Sequence, residues 1–266
     1  MPLYDPEKRS RKKPVTTEDG SITLYSAEFD ECYHSTRDGA LNESLHKHIL
    51  PAFSLVNTKR EQLVILDVCF GLGYNTLATL HYLREHPIDA KVKIYSPEFD
   101  RELVASLTDF EYPDAFAPFA DIIRQLAVRG SYADEKVEIT ILFGDARETI
   151  PGIPDRIDIV YQDPFSPKKN PLLWTREYFA DIRSKASEDL ILTTYSSATP
   201  VRMGLHENGF LLYEPPTTEV RKGTIASLSP LDLSPIDMEL KKRRNPQAAS
   251  LKDEDFLTSV DQLSKD

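Results

Sequence analysis

The segment LVILDVCFGLGYN, residues 63 to 75, constrains the fold more than any other stretch of this chain. Residues 63 to 68 form a short, nearly continuous apolar run, the pattern of a strand buried on both faces. Gly71 and Gly73 follow at once, and TLATLHYLREH then reads as a helix. A buried strand that turns through glycines into a helix suits an open α/β sheet. The missing Cβ atoms permit a tight turn and close approach of backbone to a ligand, which the helix amides then face. Taken alone, the two glycines could equally do no more than shape the turn.

The rest of the chain repeats the alternation. KVKIYSPE supplies a second strand ending at Glu98, VEITILFGDA a third, RIDIVYQDPF a fourth and DLILTTYS a fifth. Residues 103 to 129 read as two helices parted by the Pro113 to Pro118 segment. Thr175 can cap the helix REYFADIRSKA, and Pro200 suits the first turn of a helix that ends near Gly209. FLLYE and TIASLS supply two final strands. Strands alternating with helices imply a mostly parallel sheet, with a two-layer α+β arrangement as the competitor. Upstream, the first twenty residues are polar and expected to be mobile at their start. ITLYSAEFDECYHS predicts a small hairpin or cover segment, and LNESLHKHILPAF a helix stopping near Pro51. The expected organisation is an N-terminal extension with cover elements over 1–60, a core over 61–230, and a peripheral helix or tail over 231–266.

Four stations carry chemistry. At the turn, Phe70, Gly71, Gly73 and Asn75 are cofactor candidates; Thr76 stands where a dinucleotide fingerprint has its third glycine. That spacing disfavours NAD or FAD and suits a smaller nucleoside cofactor such as S-adenosylmethionine. Glu98 ends the second strand 25 residues beyond Gly73, where an ionised carboxylate can accept from both ribose hydroxyls; an ordinary strand-end charge is the alternative. Asp145 and Ala146 follow the third strand and can meet an adenine amino group and ring nitrogen, or Asp145 can simply cap a helix. Asp163 in YQDPFSPKKNP is the candidate for catalysis as well as cofactor contact. A carboxylate there can orient an amine and help it lose a proton, since an alkylammonium has no lone pair to offer. Phe165 and Trp174 could wall a planar substrate, and Tyr195 could line its mouth.

Composition narrows the classes. With 43 acidic and 32 basic residues the net charge is −11, which argues against a non-specific nucleic-acid binder without excluding a local basic face. Positive clusters lie at Lys8, Arg9, Arg11, Lys12 and Lys13, at Lys168 and Lys169, at Arg221 and Lys222, and across Lys241 to Arg244. Cys32 and Cys69 cannot build a disulfide framework, the histidines lack metal spacing, and a reducing cytoplasmic compartment without a metal site is expected. No apolar run approaches the roughly 20 residues that span a bilayer, and no secretory signal is present, so no membrane partner is expected. GxSxG, P-loop and HExxH motifs are absent, which leaves hydrolase, NTPase and zinc-protease readings without an anchor.

FGLGYN, GDARE, DPFSPKKNPLLWT, LTTYSSATPVRMGLHENGF and RKGTIAS together resemble the methyltransferase domain of the MnmC family of tRNA-modification enzymes. The likeness spans roughly residues 20 to 230. It implies a class I S-adenosylmethionine-dependent methyltransferase fold, Rossmann-like, with seven strands in the order 3-2-1-4-5-7-6 and the seventh antiparallel. It implies methylation of 5-aminomethyl-(2-thio)uridine at the tRNA wobble position, with the anticodon stem-loop as partner and Asp163 at the amine. Lys168, Lys169, Arg202 and Lys222 become candidates near tRNA phosphates. Two departures stand out: Cys69 where the family commonly has glycine, and Pro164 in a DPF element that is usually DGF-like. No FAD is expected, because the fused oxidase of bifunctional members has no counterpart here; a monomer is expected. The competing readings are methylation of a different small-molecule or protein amine, a tRNA-binding module without catalysis, and an NAD-dependent oxidoreductase.

Overall fold

The computed structural model describes residues 7, 10–216 and 223–261. Strand β4 (Gln62–Val68) runs through the middle of an eight-stranded sheet ordered β10-β11-β9-β8-β4-β5-β7-β6. Its partners β5 (Lys91–Glu98) and β8 (Ile157–Gln162) are parallel to it, with Leu66 level with Tyr95 on one side and Val160 on the other. β7 (Val137–Phe143) and β9 (Ala186–Thr194) extend the parallel set outward. β11 (Thr224–Ser227) lies antiparallel between β9 and β10 (Leu211–Tyr213). Counting from β4, the seven core strands follow the expected 3-2-1-4-5-7-6 order.

The eighth strand, β6 (Ser131–Ala133), pairs antiparallel with β7 at the edge and has no sequence signature, being three residues with no apolar run. Gly130, at φ 70°, ends the preceding helix and turns the chain back onto β7; a Cβ there would come within 2.6 Å of the Phe143 ring.

Both faces of the sheet are covered, as the unbroken apolar run of β4 requires. Leu63 and Ile65 point into a core with Leu77, Phe116 and Ile123; Val64, Leu66 and Val68 point into another with Trp174, Tyr178, Phe179 and Ile182. This is the two-residue alternation of strand side chains. Arg60, just ahead of β4, ties the lower edge together through ion pairs with Asp158 and, at 2.6 Å, Asp189. Asp158 also accepts from the Val64 amide at 2.8 Å. Arg60→Ala leaves Asp158 buried beside an empty position and is expected to destabilise the fold by about 2 kcal/mol, read as a lower urea midpoint.

Three expectations change on the N-terminal side and at the C-terminus. Residues 12–16, polar by composition, form strand β1, which pairs antiparallel with β2 (Ile22–Ser26); β3 (Glu31–Cys32) completes a small three-stranded sheet. The following helix does not stop near Pro51. It runs from Ala40–Glu43 through a π-helical turn, Ser44–Ile49, into Leu50–Leu55, because the wider turn removes the carbonyl clash that proline would meet in a regular helix. Toward the C-terminus, Ile236 and Met238 join the core. Leu251 bridges to Thr175, and the Arg147–Asp253 ion pair holds the segment that leads into the helix Glu254–Asp261. Among the described residues no helix is long and apolar enough to cross a membrane.

Candidate active site

The carboxyl ends of β4, β5, β7 and β8 meet at one edge, and the turn after β4 is bent by three residues of positive φ. These are Cys69 at 69°, Gly71 at 53° and Gly73 at 75°. A side chain at the first of them costs about 1–2 kcal/mol of backbone strain, the physical reason for glycine to be favoured at that position. The Phe70 ring lies against Gly73, where a Cβ would come within 2.9 Å. The Phe70 amide donates to Pro97 O at 3.0 Å, and Gly73 N to Phe70 O at 2.7 Å, so the turn is fixed to the end of β5.

Glu98 completes that fixation. It is buried, and its two carboxylate oxygens accept from the amides of Gly71 and Asp100, each at 2.8 Å. Burial nevertheless pushes its carboxyl up to about 7. Asp67, fully buried below the turn, is likewise raised to about 7 by burial, although Thr76 Oγ1 donates to it at 2.8 Å. Asn75 stands between two carboxylates: its Nδ2 lies 3.3 Å from Asp67 Oδ1 and 2.9 Å from Asp163 Oδ2. Its Oδ1 is buried with no hydrogen-bond partner among the described residues.

Phe70, Gly71, Asn75 and Glu98 line one cavity along the turn, and Glu98, Asp145 and Ala146 line an adjoining one that shares Cys69 and Phe99 with it. Asp145 caps the short helix Ala146–Thr149 by accepting from Arg147 N at 2.9 Å, so capping and a place on the cavity wall coexist. Bare glycine backbone, an orphaned buried acceptor and a strand-end carboxylate form a donor and acceptor set that fits a nucleoside bearing hydroxyls and an amino group.

Asp163 sits where the first cavity meets a larger one of about 550 Å³. Burial works to raise its carboxyl, but His48, His34 and Asn75 outweigh burial and hold it below the ordinary carboxylate range. His48 Nε2 approaches Asp163 Oδ1 at 3.3 Å. The larger cavity is walled by Phe165 and Tyr195 on one side and by the N-terminal segment on the other. That segment contributes Glu31, Tyr33, His34, Asp38, Glu43 and Lys47. Phe165 stacks on Phe29 at 4.2 Å and meets the edge of Tyr33 at 4.9 Å; the Tyr195 hydroxyl donates to Pro164 O at 2.9 Å. Residues 1–60 thus include part of the site wall and not only its cover.

Several candidates lie elsewhere. Trp174 is fully buried, donating to Phe165 O at 2.9 Å and packing edge-on to Tyr195, so it supports the wall from behind and lines neither cavity. Arg202 is buried too, its guanidinium donating to Thr224 Oγ1 at 2.9 Å and Gly223 O at 3.1 Å and lying 3.4 Å from Glu214, which leaves it no access to a phosphate. Lys169 pairs with Asp30 at 2.9 Å and Lys12 with Asp100 at 2.6 Å, while Lys168 is exposed. Lys222, with Lys8, Arg9 and Arg221, lies outside the described residues. Sequence reasoning missed Tyr33, His34 and His48, although it predicted the hairpin or cover segment and the helix that carry them, because nothing in either segment pointed to Asp163. Among the described residues no cluster of three or more His, Cys, Asp or Glu side chains is arranged to hold a metal.

A parallel sheet in this order, with β11 reversed and a glycine turn after its central strand, defines the class I S-adenosyl-L-methionine-dependent methyltransferase fold. Residues 120–229 match the family described as S-adenosyl-L-methionine-dependent methyltransferase. The crystal structure of MnmC2 from Aquifex aeolicus is similar with a TM-score of 0.81 and 33% identity, covering 95% of this chain and 81% of that one. The chain belongs to the MnmC-like methyltransferase family. It is 32% identical over 225 residues to an uncharacterised protein of Methanocaldococcus jannaschii, covering 81% of this chain and 59% of that protein. It is also 31% identical over 233 residues to the tRNA 5-methylaminomethyl-2-thiouridine biosynthesis bifunctional protein MnmC of Cupriavidus metallidurans, covering 82% of this chain. It spans only 34% of that protein's length.

Proposed function

We propose that this protein is a tRNA N-methyltransferase that converts 5-aminomethyl-(2-thio)uridine at the wobble position to 5-methylaminomethyl-(2-thio)uridine. The observation that carries the reading is the placement of Asp163, held by Asn75 and His48 at the junction of the cavity along the glycine turn and the larger one. S-adenosyl-L-methionine, when bound, supplies an electrophilic methyl group on a sulfonium centre. Phe70, Gly71 and Asn75 would hold it along the turn that Gly73 shapes, Glu98 would accept from its ribose hydroxyls, and Asp145 with Ala146 would meet its adenine. Asp163 accepts hydrogen bonds from the substrate amine, draws off its proton and leaves the nitrogen lone pair aimed at the methyl carbon. As the N–C bond forms and the S–C bond breaks, the electron pair stays on sulfur. Phe165 and Tyr195 flank the acceptor, and an extruded wobble base is the form in which a ring could enter.

Among the described residues of the cavity wall, Glu31 and Asp163 supply carboxylates for a cationic acceptor beyond Asp38 and Glu43, which pair with Lys47. The same wall favours a second reading, a small or protein-borne amine in place of tRNA. Labelled S-adenosyl-L-methionine, offered with tRNA carrying the 5-aminomethyl wobble uridine and separately with free polyamines, separates the two. A gain of one methyl on the uridine amine by nucleoside mass analysis is the expected result. Transfer to polyamines alone would move the acceptor to small amines.

Glu98 adds a pH dependence. Its carboxyl, raised to about 7, accepts from both ribose hydroxyls only when ionised, since protonation turns one of its oxygens into a donor. Binding of S-adenosylhomocysteine is therefore expected to tighten as pH rises from about 6 to 8, level off above that, and release protons near pH 7. Calorimetry in buffers of differing ionisation enthalpy reads that release directly, and a flat affinity across this range would remove Glu98 from the ribose.

A further inference from the structure

The two oxygens of Asp163 are held by different elements. Oδ2 accepts from Asn75 Nδ2 at 2.9 Å, from the helix that follows the glycine turn. Oδ1 faces His48 Nε2 at 3.3 Å, from the π-helical turn Ser44–Ile49. π-Helical turns recur at functional sites, where the extra residue re-aims a side chain. His48 is fully buried and lines neither cavity. Its Nδ1 lies 2.9 Å from Thr193 Oγ1 on β9, and Thr193 Oγ1 lies 3.5 Å from Val160 O.

The other ring nitrogen is the informative one. Nε2 is buried and has no hydrogen bond of good geometry among the described residues, its close neighbour being the Asp163 carboxylate. A bare lone pair there would face an anion, so the contact requires a proton on Nε2. If Thr193 donates to Nδ1, the ring is neutral with its hydrogen on Nε2; if Nδ1–H donates to Thr193, the ring is a cation. Both arrangements aim an N–H at Oδ1. A buried imidazole tethered to a central strand through one nitrogen and aimed at a carboxylate through the other is costly unless that carboxylate needs it.

We propose that His48 is a positioning residue of the acceptor site, holding the Asp163 carboxylate ionised and oriented toward the substrate amine. The inference rests on the amine-methylation reading for the purpose it assigns, although the His48–Asp163 coupling itself stands without any substrate. The other titratable groups around this pair are His34 and Glu43 from the N-terminal segment, Asp67 on β4, Cys69 in the turn, Tyr161 on β8 and Tyr195 after β9. Of these, Asp67, Cys69 and Tyr195 are each pushed up by burial; His34 also favours the ionised Asp163, through charge alone, whereas His48 adds a contact to Oδ1 at 3.3 Å.

The test is carbon-13 NMR of the Asp163 carboxyl and nitrogen-15 NMR of the His48 ring, on the full chain without substrate. In His48→Ala the Asp163 midpoint is expected to move up by about one pH unit, because a favourable partner of its ionised form has gone. In His48→Gln, which keeps an amide N–H near the Nε2 position, the shift is expected to be smaller. In Asp163→Asn the His48 Nε2 signal is expected to move. With the tRNA substrate, His48→Ala should lower kcat roughly 10- to 100-fold, shift the acid limb of the pH–rate profile upward, and leave S-adenosylhomocysteine affinity within about twofold; His48→Gln should recover part of kcat.

An unmoved Asp163 midpoint in a folded His48 variant overturns the proposal. So does an unchanged His48 Nε2 signal in Asp163→Asn, a measurement that needs no change at His48 and so survives misfolding of its variants. If the NMR coupling is present but the wild-type protein methylates no aminomethyluridine tRNA, the substrate reading falls and the His48 role stands. Methylation without coupling has the opposite consequence.

Discussion

Asp163→Asn is expected to reduce methyl transfer to the aminomethyluridine by about 100- to 10,000-fold while leaving S-adenosylhomocysteine affinity nearly unchanged. The amide has almost the shape of the carboxylate and can still accept from Asn75 Nδ2, which sits 2.9 Å from Oδ2 in the native site. What it lacks is the negative charge that draws a proton from an ammonium and the second acceptor that fixes the lone pair. Single-turnover kinetics with saturating cofactor separates the chemical step from binding. A variant that keeps more than a third of wild-type kcat would remove Asp163 from the chemistry. The loss should be steepest at low pH, where the substrate amine is fully protonated and depends most on a nearby base.

Glu98→Ala is expected to act on the other half of the site. It deletes the acceptor of the Gly71 and Asp100 amides, both at 2.8 Å, and the carboxylate assigned to the ribose hydroxyls. Loss of a buried, charged acceptor of this kind costs about 2–4 kcal/mol, or roughly 30- to 1,000-fold in affinity. Calorimetric titration with S-adenosylhomocysteine measures it. Glu98→Gln keeps the shape and one acceptor, and should fall between wild type and alanine. Its binding should also lose the rise in affinity between pH 6 and 8, since the titrating carboxyl has gone. A native-like affinity in Glu98→Ala would leave this carboxylate as a tie between β5 and the glycine turn and nothing more. The pair of variants makes a clean contrast: Asp163→Asn binds without reacting, and Glu98→Ala fails to bind.

Much of this was legible in residue order. The central strand, its glycine turn and the order of the helices and strands follow from short-range physics: an unbroken apolar run needs cover on both faces, and Gly71 and Gly73 occupy backbone angles that a side chain resists. Thr175 capping the helix Arg176–Lys185 is equally local, its Oγ1 accepting from Tyr178 N at 3.2 Å. The stations at Glu98, Asp145 and Asp163 lie at the carboxyl ends of strands, so a correct strand assignment was enough to bring them to one edge. The features that escaped notice are weak locally. β6 is three residues long, β1 is built from Lys12, Lys13 and Pro14, and the helix through Pro51 survives by widening into a π turn.

Tertiary structure alone decided the company that Asp163 keeps. His48 and His34 read as scattered histidines because the spacing test applied to them was one for metals, and their partner lies more than a hundred residues away in sequence. Trp174 and Arg202 had the right chemistry for an aromatic wall and a phosphate ligand, but packing buried both and engaged their polar atoms inside the fold. Sequence by itself determined which backbone the chain builds and which strand ends carry carboxylates, since periodicity, glycine and capping act over a few residues. The fold decided which of those carboxylates are ionised and what walls their cavity, because burial and charge act through space, across elements whose sequence positions share no pattern.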